Sequence, residues 1–284
     1  MSTILSIQSS VAYGHVGNSA AAFALMRMGV ETYPVYTVHY SNTTSYGSWG
    51  GPNLSPEQVA DVIEGVDQRG ALDKVDAVLS GFQGSEEMGE TILAAVDLVK
   101  QRSPQAIYCA DPVMGDVGRG IYVGPGIPEF LETRVVPKAD VLTPNQFELD
   151  YLTKRSSQTK ADVLAAVDEL HARGPQTILV TSATADDLPT DSVSMLADDG
   201  QSCWLVSTPR IDQSFTGSGD LTAAVFLAGL LNGQPLSTVL SRTADVVYSL
   251  LFATAAAGSR ELTLVADQDQ LIDPRFHFEA TRLR

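Results

Sequence analysis

Strand-like apolar runs alternate along this chain with stretches of helical periodicity. The run TILSIQS, Thr3 to Ser9, predicts a buried strand. NSAAAFALMRMG follows as a helix, with Asn18 placed to cap it and Gly29 to end it. ETYPVYTVHY is the next strand, and Pro34 within it points to an edge position or an irregularity. In SPEQVADVIEGVDQRG, Ser55 is the cap, Pro56 the first helical residue and Glu57 a first-turn acid. DAVLSG reads as a strand, and SEEMGETILAAVDLVKQR as a helix with acids first and bases last, matching the macrodipole. The strands AIYCADP and ADVLTPN follow, then the helices QFELDYL and KADVLAAVDELHARG. Three strands, TILVTS, SVSMLAD and SCWLVS, precede two helices near 219–232 and 236–257.

This order predicts an α/β fold with a largely parallel central sheet, helices on both faces and some hairpin-like strands late in the chain. Ligands of such sheets gather at the carboxyl ends of the strands. Ser9, Ser41 to Tyr46, Asp111, Thr143 to Glu148, Thr181 and Asp220 are therefore expected along one edge. No internal repeat or low-complexity linker divides the sequence, so residues 1–284 are expected to form one domain. Two polar, glycine-rich loops, Ser41 to Pro56 and Met114 to Gly126, have the composition of ligand-contacting segments, and the second can serve as a lid.

Composition narrows the functional classes. The 44% hydrophobic content can fill a sizeable core, yet no run reaches the roughly 18 uninterrupted apolar residues of a membrane span. MSTILSIQSS lacks the basic start and long apolar segment of a signal peptide, so a cytoplasmic protein is expected. Cys109 and Cys203, both in apolar contexts, read as buried thiols rather than a disulfide framework or metal cluster. A net charge of −16 argues against non-specific nucleic-acid binding. It also means that a phosphate compound would have to be held by metal ions, helix N-termini and a few placed cations.

Four segments carry candidate chemistry. In TGSGD, Gly217 and Gly219 let the backbone approach a ligand, and the amides of Gly217, Ser218, Gly219 and Asp220 would point off a helix N-terminus as an anion hole. A carboxylate there can accept a proton from an alcohol. Alone, the segment favours the plainer reading, a turn with a favourable first-turn charge worth about 0.3–1 kcal/mol. In TPNQFE, Asn145 and Glu148 have capping-box spacing, and also suit the hard-oxygen coordination of Mg²⁺, partly through water. In DPVMGD, Asp111 either starts a turn or faces a cation. In the N-terminal segments, Ser9 offers a hydroxyl, Tyr40 a ring for stacking, and Thr44 a bond to a ring heteroatom.

Taken in order, SIQSSVAYGHVGNSAA, TVHYSNTTSYG, LSGFQGS, DPVMGD, TPNQFE and TGSGD resemble the pyridoxal kinase family of the ribokinase-like superfamily, over nearly the whole chain. The resemblance implies a three-layer α/β/α domain and ATP-dependent phosphorylation of the 5′-hydroxymethyl of pyridoxal. Asp220 would be the base and Gly217, Ser218 and Gly219 the anion hole. Ser9, Tyr40, Thr44 and Ser45 would meet the vitamin. Asp111, Thr143 and Glu148 match positions near the nucleotide phosphates and cations, with Asp111, Asn145 and Glu148 as candidate Mg²⁺ contacts. Tyr122 falls in the flap over ATP, and Thr208, Pro209, Arg210 and Ile211 lie beside the adenine. ATP is the implied co-substrate and a homodimer the implied assembly, with no nucleic-acid or membrane partner. Thr181 stands where some bacterial members carry a lysine, and can contact a phosphate or a monovalent cation such as K⁺. Ser45 replaces a larger polar residue of related enzymes, which leaves vitamer preference open. The 41–56 loop is too short and polar for the separate β-lid of sugar kinases. Two other readings stay open: a kinase for another small alcohol such as hydroxymethylpyrimidine, and a non-catalytic pyridoxal-binding protein.

Overall fold

Nine strands form one sheet in the computed structural model, which describes residues 1–284. In chain order the elements are β1 (Thr3–Val11), α1 (Asn18–Arg27), β2 (Glu31–Tyr40), α2 (Pro56–Asp67), β3 (Ala77–Ser80), α3 (Glu86–Arg102) and β4 (Ile107–Ala110). A two-strand ribbon, β5 (Gly115–Asp116) and β6 (Gly120–Ile121), precedes the short α4 (Ile127–Phe130). Then come β7 (Val141–Leu142), α5 (Gln146–Thr153), α6 (Lys160–His171), β8 (Thr177–Ala183), β9 (Ser192–Asp198), β10 (Cys203–Pro209), α7 (Ser218–Leu231), α8 (Leu236–Ala256) and β11 (Thr281–Arg282).

The sheet order is β11-β10-β9-β8-β7-β4-β3-β1-β2. From β2 to β8 all pairings are parallel, while β9 is antiparallel to both β8 and β10. Two reversals return β10 to the common direction, so its end at Thr208–Pro209 shares the carboxyl edge with β1, β3, β4, β7 and β8. β2 is an edge strand, which is why Pro34 is tolerated there.

Side chains alternate across the sheet with period two and build a core on each face. Leu5, Ile7, Val78, Ile178 and Val180 pack under α2, α3, α5 and α6. Their neighbours Ile4, Leu79 and Leu179 pack under α1, α7 and α8. The result is the expected three-layer α/β/α arrangement. α8 is long and apolar enough by composition to cross a membrane, but 61% of that window is buried within the fold.

Several helix ends follow their sequence signals. Ser55 caps α2 with Pro56 in its first turn, and Ser85 caps α3. Cys109 and Cys203 are buried free thiols. Other ends differ from expectation. Gly17, not Asn18, holds the N-cap of α1. Asn18 is buried, and its amide nitrogen faces the carbonyl oxygens of Ser6, Gln8 and Val35 at 3.0–3.3 Å. The β1–β2 ladder shifts register between Gln8 and Ser10, and this side chain serves carbonyls beside the irregularity. Past that shift, Ser10 and Val11 pair with His39 and Tyr40, so β1 outruns its expected end at Ser9. ADVLTPN contracts to two strand residues, because Pro144 has no N–H to continue a ladder and the chain turns into α5.

The carboxyl-terminal strand is tied down through Asp198, a fully buried residue. It accepts hydrogen bonds from the Gly200 amide at 2.7 Å and Arg284 Nη2 at 2.7 Å, and meets His171 Nε2 at 3.1 Å. Burial opposes its ionisation, but the bonds from His171, Gly200 and Arg284 outweigh burial and hold the carboxyl well below its usual range. The same contact with Asp198 raises the His171 imidazole. A depressed carboxyl stabilises the fold above its unfolded pKa near 3.8 and loses that contribution as pH falls. A raised imidazole contributes fully below 6.5 and loses its contribution as pH rises through the folded value. Asp198→Asn is therefore expected to cost roughly 3 kcal/mol near pH 6, where both charges are present. Urea unfolding of both proteins across pH 4–8 checks this. The gap should hold toward pH 4, where the carboxyl is still ionised, and narrow as pH rises through the folded imidazole value; a gap independent of pH would contradict the charged contact.

Candidate active site

The YGHVGN and TGSGD segments meet directly. Gly217 is the N-cap of α7 with φ 81°, and a Cβ on it would overlap the backbone oxygen of His15. Gly17, at φ 54°, lies so close to Ser9 that a Cβ would overlap both its carbonyl and its hydroxyl. The Gly17 amide in turn faces the Asp220 carboxylate and favours its charged form. Ser9, Gly17 and Asp220 thus form one contiguous line, although β1, α1 and α7 supply them separately.

Asp220 sits in the first turn of α7. Burial raises its pKa to about 6, against the stabilising bonds from the amides of Gly17 and of Asp220 itself. A carboxylate in that range can hold or release a proton near neutrality. Just ahead of it, the amides of Ser218 and Gly219 have no backbone partner, as expected for a first helical turn. No neighbour lies within contact of a Cβ built on Gly219. Packing therefore explains the glycine at 217 and does not explain the one at 219.

Beside Asp220 the sheet edge carries further acids. Asp111, just past β4, is raised by burial and then by the charge of Asp220, with the Thr143 hydroxyl partly offsetting them. Glu148 is 3% exposed. Burial raises it first and the Asp111 charge second. Its Oε2 accepts the Asn145 amide at 2.9 Å, and its Oε1 accepts the Met114 amide at 3.0 Å. The capping box of α5 is complete. Asn145 is committed on both side-chain atoms, Oδ1 to the Glu148 amide and Nδ2 to the Gly115 carbonyl. That leaves Asp111 and Glu148 as the better-placed hard-oxygen donors. Thr143 is buried, and its hydroxyl makes no hydrogen bond of good geometry.

The β5–β6 ribbon rises over this cluster. Its base is fastened by Glu148 and Asn145 to Met114 and Gly115, and by the Tyr122 amide to the Met114 carbonyl. The Tyr122 phenol is raised by burial and then by the charges of Glu148, Asp111 and Asp220. Although the residue is 45% exposed, its ring therefore flanks the acids. Arg119 lies 5.0 Å over that ring and is a cation on the flap that motif reading passed over.

On the other side, Tyr40 ends β2, its hydroxyl bonded to Asn53 and its ring 5.9 Å from Trp49. Thr44 and Ser45 lie in a single 3-10 turn capped by Thr43, and Ser45 Oγ accepts from Arg260 at 3.0 Å. Thr181 forms a bridge beside Asn145, its amide donating to the Pro144 carbonyl. Thr208 to Ile211 stand on the same edge but farther off, because β7, β8 and β9 intervene between β4 and β10. Four spacings of about 4.8 Å put them roughly 19 Å from Asp111. A separate surface hollow, lined by Met28, Val225, Val239, Arg242 and Leu271, contains none of these groups.

A model of the phosphomethylpyrimidine kinase family matches residues 28–264. Pyridoxal kinase PdxY of Leifsonia xyli subsp. xyli is 50% identical over 280 residues, which span 99% of both chains. The chain belongs to the pyridoxal kinase family. Pyridoxal kinase PdxY of Rubrobacter xylanophilus is also 50% identical, over 99% of this chain and 97% of its own. Among solved structures, the pyridoxal kinase of Leishmania donovani in complex with ADP and pyridoxamine superposes with a TM-score of 0.92 at 28% identity, covering 100% of each chain. The match extends across the whole sheet, including the edge on which the acids, the Gly17–Asp220 contact and the ribbon lie.

Proposed function

We infer that this protein phosphorylates the 5′-hydroxymethyl of pyridoxal with ATP. The observation that carries the chemistry is the Asp220 carboxylate, with its pKa near 6, beside the unpartnered amides of Ser218 and Gly219. The hydroxymethyl oxygen attacks the γ-phosphorus as its proton passes to Asp220. The bond from that phosphorus to the β–γ bridging oxygen breaks, and ADP leaves. The free amides, with Gly217 shaping the turn, hold the phosphoryl oxygens as their charge shifts. Ser9, Tyr40, Thr44 and Ser45 hold the pyridine ring. ATP lies along the edge from Thr143 and Thr181 to Thr208, Pro209, Arg210 and Ile211, under Tyr122 and the ribbon, whose closure excludes water. Thr181 contacts a phosphate oxygen or a monovalent cation such as K⁺. A homodimer is the assembly that the family resemblance suggests.

The acids suit a cation. Asp111 and Glu148 are raised by burial and by neighbouring negative charge, so both favour a positive neighbour. No group of three or more acid, imidazole or thiol side chains forms a metal cage. Mg²⁺ commonly takes only one or two carboxylates together with phosphates and water, so these two acids would suffice to hold it. Bound there, Mg²⁺ would supply charge neutralisation for the triphosphate.

ADP release measured in parallel with pyridoxal, pyridoxine, pyridoxamine and hydroxymethylpyrimidine tests this reading. The highest kcat/KM is expected with pyridoxal. A clear preference for hydroxymethylpyrimidine would replace the substrate, and binding without ADP release would replace the kinase reading with a binding protein.

A further inference from the structure

The ring-binding loop and the phosphoryl-binding turn are joined by a residue that lies in neither. Glu261 follows α8 and is 8% exposed. Its Oε1 accepts the Tyr46 hydroxyl at 2.9 Å. Its Oε2 accepts the Thr216 hydroxyl at 3.1 Å and the His15 amide at 3.2 Å. Gly14 has φ 91°, and a Cβ on it would overlap the same carboxylate. The neighbouring Arg260 reaches the same loop, donating to Ser45 and lying 5.0 Å over the Tyr46 ring. One carboxylate therefore contacts the YGH segment, the 41–56 loop and the residue preceding Gly217.

We propose that Glu261 is a positioning residue, which holds the ring-binding loop in register with the helix end that carries Asp220. All three partners are neutral donors, and a buried carboxylate is costly unless such donors stay in place. Hydrogen bonds to a charged acceptor are also stronger than neutral ones. The segments it joins are far apart in sequence, so no local turn can set their spacing. With the link intact, a ring held by Thr44 and Ser45 has its hydroxymethyl at a fixed place relative to Asp220. With the link cut, the loop keeps its base ladder to β2 but loses its tie to the catalytic turn. This role rests on the pyridoxal kinase reading above.

Three variants test it: Glu261→Ala, Glu261→Gln and Tyr46→Phe. Initial rates are measured with pyridoxal and ATP varied separately, alongside thermal melts. Loop order is read as acrylamide quenching of Trp49 in a Trp204→Phe background. Glu261→Ala is expected to raise KM for pyridoxal about tenfold, as loss of bonds to a charged acceptor implies. ATP KM should stay within about twofold, and Trp49 should become easier to quench. Glu261→Gln should recover most of the affinity, since the amide oxygen accepts as before and the Tyr46 hydroxyl can turn to accept from Nε2. Tyr46 is 43% exposed, so Tyr46→Phe should leave the melting temperature unchanged while raising pyridoxal KM about threefold.

A lowered melting temperature with unchanged pyridoxal KM would overturn the proposal. So would equal rises in both KM values, or a glutamine variant no better than alanine. If the parent protein itself failed to phosphorylate pyridoxal, the functional reading would fall instead. Trp49 quenching would then still decide whether Glu261 orders the loop.

Discussion

Asp220→Asn is expected to lower kcat by about 10²–10⁴ while the protein stays folded. Asparagine can still accept from the Gly17 amide that faces it, but it cannot take the proton from the attacking alcohol. The substitution also removes a buried charge that raises Asp111, so the melting temperature should hold or rise. The wild-type pH profile gives a second readout. The base must be ionised, so kcat/KM should fall as pH drops through a value at or below about 6, since a bound cation would pull the carboxyl downward. ADP release and thermal melts of the two proteins are sufficient to decide. A folded Asp220→Asn enzyme with near-normal turnover would remove the base from the mechanism.

The paired glycines should separate stability from catalysis. Gly217→Ala places a side chain at φ 81° and against the His15 carbonyl, and the neighbour in the way is backbone rather than a flexible chain end. The expected cost is about 3–4 kcal/mol, combining left-handed strain with the clash. Gly219→Ala meets nothing, and a helical glycine gains up to about 0.5–1 kcal/mol when replaced by alanine. Its melting temperature should therefore hold or rise. Its kcat should nonetheless fall by about 10²–10³, a loss comparable to removing one preorganised donor, because the methyl occupies the space over the free amides. Thermal unfolding and steady-state rates on both variants check the contrast. A fully active Gly219→Ala protein would mean that the phosphoryl group is not held there.

Much of this was legible from residue order. Capping signals at Ser55 and at Asn145 with Glu148 work locally, within three or four residues, and the structure uses both. At Glu148, capping and candidate cation binding are compatible, since a carboxylate has more acceptor sites than the two amides fill. Asn18 departs from its local signal for the opposite reason. A polar residue ahead of a helix looks like a cap, but its amide is taken up by carbonyls on two strands, one of them 17 positions away. Glu261 gave no motif signal. Its partners are 45, 215 and 246 positions away, and the intervening segment of any one of them says nothing about the others.

The alternation of strands and helices, the two-faced sheet and the family motifs can be read from residue order alone, because each depends on periodicity or on a run of adjacent residues. Folding alone separates the glycine demanded by packing, Gly217, from the one that leaves open space, Gly219. It also brought Gly17 to Asp220, committed Asn145 to its cap, and put Glu261 between two loops. Those outcomes depend on close approach between backbones that meet only when the sheet has assembled, and no local pattern encodes such distances.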